Sequence, residues 1–80
     1  MIRVTLYTKP GCDLCQEVRD ELDALAAEIP HTVVEVDILD DANLFEQYQH
    51  SIPVVVVGNT RLVYPFSTAE LRNALQQISE

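Results

Sequence analysis

From Ile2 to Tyr7 the apolar side chains of Ile2, Val4 and Leu6 alternate with Arg3, Thr5 and Tyr7. A period of two is the mark of a half-buried strand, and Lys9-Pro10-Gly11 ends it with a turn sequence. A longer period takes over next. Leu14, Val18, Leu22, Leu25 and Ile29 recur at steps of four and three, with Gln16, Glu17, Asp20, Glu21 and Glu28 lying mostly elsewhere. This predicts an amphipathic helix that begins near Cys12 and stops before Pro30. The β-branched run His31-Thr32-Val33-Val34-Glu35-Val36-Asp37 follows with almost no linker, which is the β-α-β order of two parallel strands.

The second half reads differently. Asp40 or Asp41 caps a short helix running to about Tyr48, with Leu44, Phe45 and Tyr48 expected on its inner face, and His50-Ser51 breaks it. Ile52-Pro53-Val54-Val55-Val56-Val57 is continuously apolar, as a strand covered on both faces should be. Gly58-Asn59 then turns the chain into Arg61-Leu62-Val63-Tyr64, giving a hairpin. Ser67-Thr68-Ala69-Glu70 is a capping-box pattern that opens a last helix, whose Leu71, Ala74, Leu75 and Ile78 form the expected buried stripe. The predicted order is β-α-β-α-β-β-α, an α/β domain with a four-stranded mixed sheet flanked by helices.

Composition narrows the picture without redirecting it. With 80 residues, 48% of them hydrophobic, the chain has enough apolar material for one core and no room for two, so residues 1–80 are expected to form a single domain. No apolar run approaches the roughly 20 residues of a membrane span. The alternating start does not resemble a signal peptide, and the expected location is cytoplasmic. Thirteen acidic residues against five basic ones leave a formal charge of -8, which repels polyanions. Nucleic acid and membrane are therefore not expected as partners.

The chemistry sits in two cysteines. Cys12 and Cys15 are separated by two residues, a spacing that closes too short a loop to staple distant segments and reads as redox chemistry or half of a metal site. Neither His31 nor His50 has the spacing to complete a metal site with them, and no metal is expected. Cys12 falls where a strand ends and a helix begins, so unpaired N–H groups and the positive end of the helix dipole favour its thiolate, and Lys9 adds a positive charge. Asp13 and Glu17 oppose that effect. Cys15 lies three positions further, towards the apolar stripe, which makes it the more buried sulfur and Cys12 the attacking one. Pro53, at the start of an apolar strand, is a site for a cis bond.

Leu6-Tyr7-Thr8-Lys9-Pro10-Gly11-Cys12-Asp13-Leu14-Cys15, Val36-Asp37 and Ile52-Pro53-Val54, taken in this element order, resemble the glutaredoxin-like branch of the thioredoxin superfamily along essentially the whole chain. The Val63-Tyr64-Pro65-Phe66 segment is similar to that of small bacterial glutaredoxin-like proteins. The resemblance implies a thioredoxin-like fold and a thiol–disulfide oxidoreductase, with Cys12 as nucleophile, Cys15 as resolving cysteine and Pro53 as a cis-proline facing them. It also implies that Lys9 and the backbone of Ile52 contact substrate, by main-chain pairing at Ile52.

The departures are equally specific. Glutaredoxins usually carry proline and an aromatic residue between the cysteines, where this chain has Asp13 and Leu14. They tend to have paired glycines and an acidic residue after the last hairpin, where this chain reads Leu62-Val63-Tyr64-Pro65-Phe66-Ser67. No tightly bound cofactor is expected, and glutathione is a candidate ligand whose usual binding pattern is missing. The expected partner is a protein or small-molecule disulfide, met by a monomer. A rival reading is a thioredoxin-fold binding module whose cysteines are redox-inert.

Overall fold

The computed structural model describes residues 2–79. The alternating segment forms strand β1 (Ile2–Thr8), followed by helix α1 (Asp13–Leu25) and strand β2 (His31–Asp37). A single 3₁₀ turn, Ile38–Asp40, leads into helix α2 (Ala42–Tyr48). Strands β3 (Val54–Val57) and β4 (Thr60–Val63) form the hairpin, and helix α3 (Thr68–Ser79) closes the order. The sheet runs β2-β1-β3-β4, with β1 and β2 parallel and both remaining pairs antiparallel. This is the thioredoxin-like arrangement.

Local chemistry explains most of the boundaries. Asp41 rather than Asp40 caps α2, its carboxylate accepting from the N–H groups of Asn43 at 2.8 Å and Leu44 at 3.3 Å. Ser67 and Glu70 form the predicted capping box: the Ser67 Oγ accepts from the Glu70 N–H at 3.1 Å, and the Glu70 carboxylate accepts from the Ser67 N–H at 3.0 Å. In the hairpin, Gly58 has φ of 58° while Asn59 keeps a negative φ, the pattern of a type II′ turn that matches the strand twist.

The sheet carries a core on each face. On one, α1 and α3 place Val18, Leu22, Leu71, Ala74 and Leu75 against Val4, Leu6, Val55 and Val57. Leu22 and Leu75 are fully buried, each stabilising the fold by on the order of 2 kcal/mol through removal from water. On the other, Ile38 and Tyr48 cover Val54, with Tyr7, Leu44, Ile52 and Val56 packed around them. The Tyr7 and Tyr48 rings stack there at 4.7 Å between centroids. Since β3 feeds both cores, its run of valines needs no polar face.

Four expectations are corrected. Helix α1 ends one turn early, at Leu25, where the N–H groups of Ala27 and Glu28 turn to the carbonyls three residues back, Ala24 and Leu25, and Pro30 has no N–H with which to carry the helix on. Ile29 nevertheless reaches the core from the following turn, where its N–H donates to the Leu25 carbonyl. Leu14, Phe45 and Ile78 fit the helical spacing but stay exposed. In α1 it is Cys15 that continues the stripe of Val18, Leu22 and Leu25, and Leu14 lies on the flank of that stripe, open to solvent.

Candidate active site

Cys12 is the residue on which α1 starts. Its backbone is extended, with φ of -91° and ψ of 101°, and its carbonyl accepts the first helical bond from the Gln16 N–H. Its Sγ accepts from the Cys15 N–H at 3.2 Å, the hydrogen bond that a serine or aspartate makes at an ordinary helix start. Gly11, with φ of 79°, makes the turn that delivers the chain to this position. A sulfur held at that place faces both the unpaired N–H groups and the positive end of the helix dipole, which stabilise a thiolate.

Cys12 and Cys15 are joined as a disulfide, with their Cα atoms 5.2 Å apart. The two sulfurs are not equivalent. Cys15 is only 3% exposed, packed at the head of the buried stripe, while Cys12 is half-buried. Of the two sulfurs, Cys12 is the one open to solvent.

The pair opens onto a cavity of about 370 Å³ lined by Thr8, Lys9, Pro10, Gly11, Cys12, Cys15, Gln16, Glu35 and Asp37. The parallel register sets Thr8 beside Asp37, so the ends of β1 and β2 form one wall and the start of α1 the other. Ligand sites in open α/β sheets occupy this end of the strands. Lys9 is exposed and makes no ion pair among the described residues, so its ammonium is available to a ligand.

A family model for the Glutaredoxin-like domain (DUF836) matches residues 3–76. The chain belongs to this glutaredoxin-like family. The crystal structure of XcR50 from X. campestris, a Northeast Structural Genomics target, is 31% identical and superposes with a TM-score of 0.79, covering 92% of this chain and 96% of that one. Protein Ne2328 from Nitrosomonas europaea is 22% identical, with a TM-score of 0.79 over 92% of this chain and 91% of its own. Thioredoxin 1 from Thermosipho africanus, at 14% identity and a TM-score of 0.73, covers 96% of this chain and 93% of its own. These last two likenesses establish the fold alone.

Of the predicted site residues, Lys9, Cys12 and Cys15 come together around the cavity, whereas Ile52 and Pro53 do not line it. Pro53 is buried, follows a cis bond from Ile52, and precedes β3 at the same end of the sheet as Thr8. Ile52 is half-buried in the second core. Its N–H donates to the Tyr48 carbonyl at 3.2 Å, and the Pro53 carbonyl accepts from the Tyr64 N–H at 3.2 Å. The Ile52 N–H is therefore already engaged within the fold. Tyr64 and Phe66 meet edge to face at 5.8 Å, and Phe66 packs against the first core.

Sequence reasoning did not single out Thr8, Gln16, Glu35 or Asp37 as cavity residues. For Asp37 a signal was present: in a β-α-β unit the ends of the two parallel strands lie side by side, which places Asp37 next to the strand–helix junction. Glu35, one of thirteen acids, carried none.

Proposed function

We propose that this glutaredoxin-like domain is a thiol–disulfide oxidoreductase that uses the Cys12–Cys15 dithiol. One observation supports the reading above the others: a disulfide whose half-exposed sulfur caps a helix and opens on a cavity, while its partner is buried beneath it. The Cys12 thiolate attacks one sulfur of a substrate disulfide, forming a mixed disulfide and expelling the first substrate thiolate. Cys15, as thiolate, then attacks the Cys12 sulfur and releases the second. The protein dithiol is oxidised by two electrons, the substrate disulfide is reduced to two thiols, and all atoms are conserved.

The other residues act in binding. Lys9, on the cavity lining, is a contact for a substrate carboxylate, and the Ile52 carbonyl, beside the buried Pro53, pairs with an extended substrate segment. The substrate is a protein or small-molecule disulfide, the domain works as a cytoplasmic monomer, and it holds no tight cofactor. Among the described residues, no helix is long and apolar enough to cross a membrane.

Comparing Cys12→Ser with Cys15→Ser tests the assignment. Cys12→Ser should abolish reduction of both a small disulfide and a protein disulfide. Cys15→Ser should stall as a mixed disulfide on Cys12, visible by mass spectrometry. Undiminished exchange by Cys12→Ser would remove the mechanism.

A further inference from the structure

The cavity beside the disulfide has a charge pattern that the proposed exchange chemistry does not require. Its wall from β2 carries two carboxylates, Glu35 and Asp37, and the ammonium of Lys9 is the one basic side chain lining it. Both carboxylates are held in place. Glu35 accepts from the Arg19 guanidinium at 3.2 Å, and Asp37 accepts from the Leu39 N–H at 2.9 Å. Arg19 does not cancel Glu35, because the same guanidinium also serves Asp23 at 3.0 Å, leaving one cation between two carboxylates. The hydrogen bond to Asp37 fixes its position without neutralising it. On α1, Asp13 and Glu17 are exposed one turn apart and do not line the cavity.

From this arrangement we infer that Glu35 and Asp37 are specificity-determining residues that select disulfides carried by positively charged molecules, such as a cystine flanked by lysine or arginine. The inference rests on the dithiol reading above and supplies its substrate class. An incoming disulfide must enter between the sulfurs and the β2 wall, so charges within its first few atoms meet the carboxylates at close range. Two carboxylates against one ammonium leave the lining with an excess of negative charge. Such an excess concentrates oppositely charged reactants and raises their association rates by about tenfold, the lower end of the range for clefts lined by one sign, an effect that salt removes. A substrate with net negative charge is met by Lys9 alone and is disfavoured by the remaining wall.

Three small disulfides of different charge provide the test: cystamine, which is cationic, 2-hydroxyethyl disulfide, which is neutral, and glutathione disulfide, which is anionic. The protein is reduced, freed of reductant and mixed with each in single turnover, so no further electron donor is needed. Loss of protein thiols is followed by acid quench and mass spectrometry. Each rate is divided by that of dithiothreitol, an uncharged dithiol, with the same disulfide under the same conditions, which removes differences in intrinsic reactivity.

At about 10 mM salt, where screening extends over about 30 Å, the normalised rate for cystamine should exceed that for glutathione disulfide by about tenfold or more. At about 1 M salt, where it extends over about 3 Å, the ratio should fall towards unity. Glu35→Gln keeps the shape and the hydrogen bond to Arg19, and should lower the low-salt ratio by about two- to threefold. Lys9→Gln should raise it. Equal normalised rates at low salt, or a preference for glutathione disulfide, would overturn the charge selection while leaving the exchange reaction standing. Failure to react with all three, the neutral one included, would take down the dithiol reading and this inference together.

Discussion

The Cys12 sulfur has a structural duty as well as a chemical one, and the two can be separated by comparing serine with alanine. In the double variant Cys12→Ser/Cys15→Ser the disulfide is gone, but a hydroxyl still stands where the Sγ accepts from the Cys15 N–H. In Cys12→Ala/Cys15→Ser the disulfide is equally gone, and the helix start has lost its acceptor. Both double variants share the same residue 15 and the same unfolded-state loop, so the disulfide's own effect, about 2 kcal/mol by loop entropy, cancels from the comparison. What remains is the cap. Removing a capping side chain costs about 1 kcal/mol, within a range of about 0.5–2. Alanine's helix propensity gives no compensation, because residue 12 has extended backbone angles and lies outside the helix. With a urea m-value of about 1 kcal/mol/M for a domain this small, the alanine variant should unfold at about 1 M less urea, with m unchanged. Urea titration followed by far-ultraviolet circular dichroism measures both. Coincident midpoints, or a more stable alanine variant, would show that the sulfur does not cap α1, and the thiolate-stabilising role assigned to that position would lose its basis.

Further predictions concern the parts of the fold that hold the site. Leu22→Ala should cost about 2–5 kcal/mol, because Leu22 is fully buried between α1 and the sheet; a loss below about 1 kcal/mol in the same titration would refute that packing. Asp41→Ala removes the acceptor for two N–H groups of α2 and should lower stability by about 1 kcal/mol, with the largest increase in amide hydrogen exchange at Asn43 and Leu44. Gly58→Ala should destabilise by more than about 1 kcal/mol, since the turn needs a positive φ and the added Cβ would collide with the Ile78 side chain; unchanged thermal stability would contradict the hairpin geometry. Arg72→Ala should change stability by less than about 1 kcal/mol, because its ion pair with Glu28 is exposed to solvent; differential scanning calorimetry would detect a larger effect.

Local sequence determined a great deal of this protein. The period of Ile2, Val4 and Leu6, the step of Val18, Leu22 and Leu25, the Ser67/Glu70 box and the Gly58-Asn59 turn each encode an element within a few residues of themselves, because backbone sterics and capping hydrogen bonds act over one turn. The CxxC pair was legible for the same reason, and the strand–helix junction at which it sits followed from Pro10 and Gly11. Tertiary structure decided which of the apolar positions are covered. Leu14 and Ile78 have the spacing of Leu22 and Leu71 and are exposed, since periodicity names a face and only a neighbouring element can bury it. It also decided the cavity wall. Glu35 and Asp37 lie more than twenty residues from Cys12 along the chain, and the parallel pairing of β1 with β2 carries them to the sulfurs. The β-α-β order foretells the pairing and with it the place of Asp37, but the register that brings Glu35 to the cavity is set only when the strands pair.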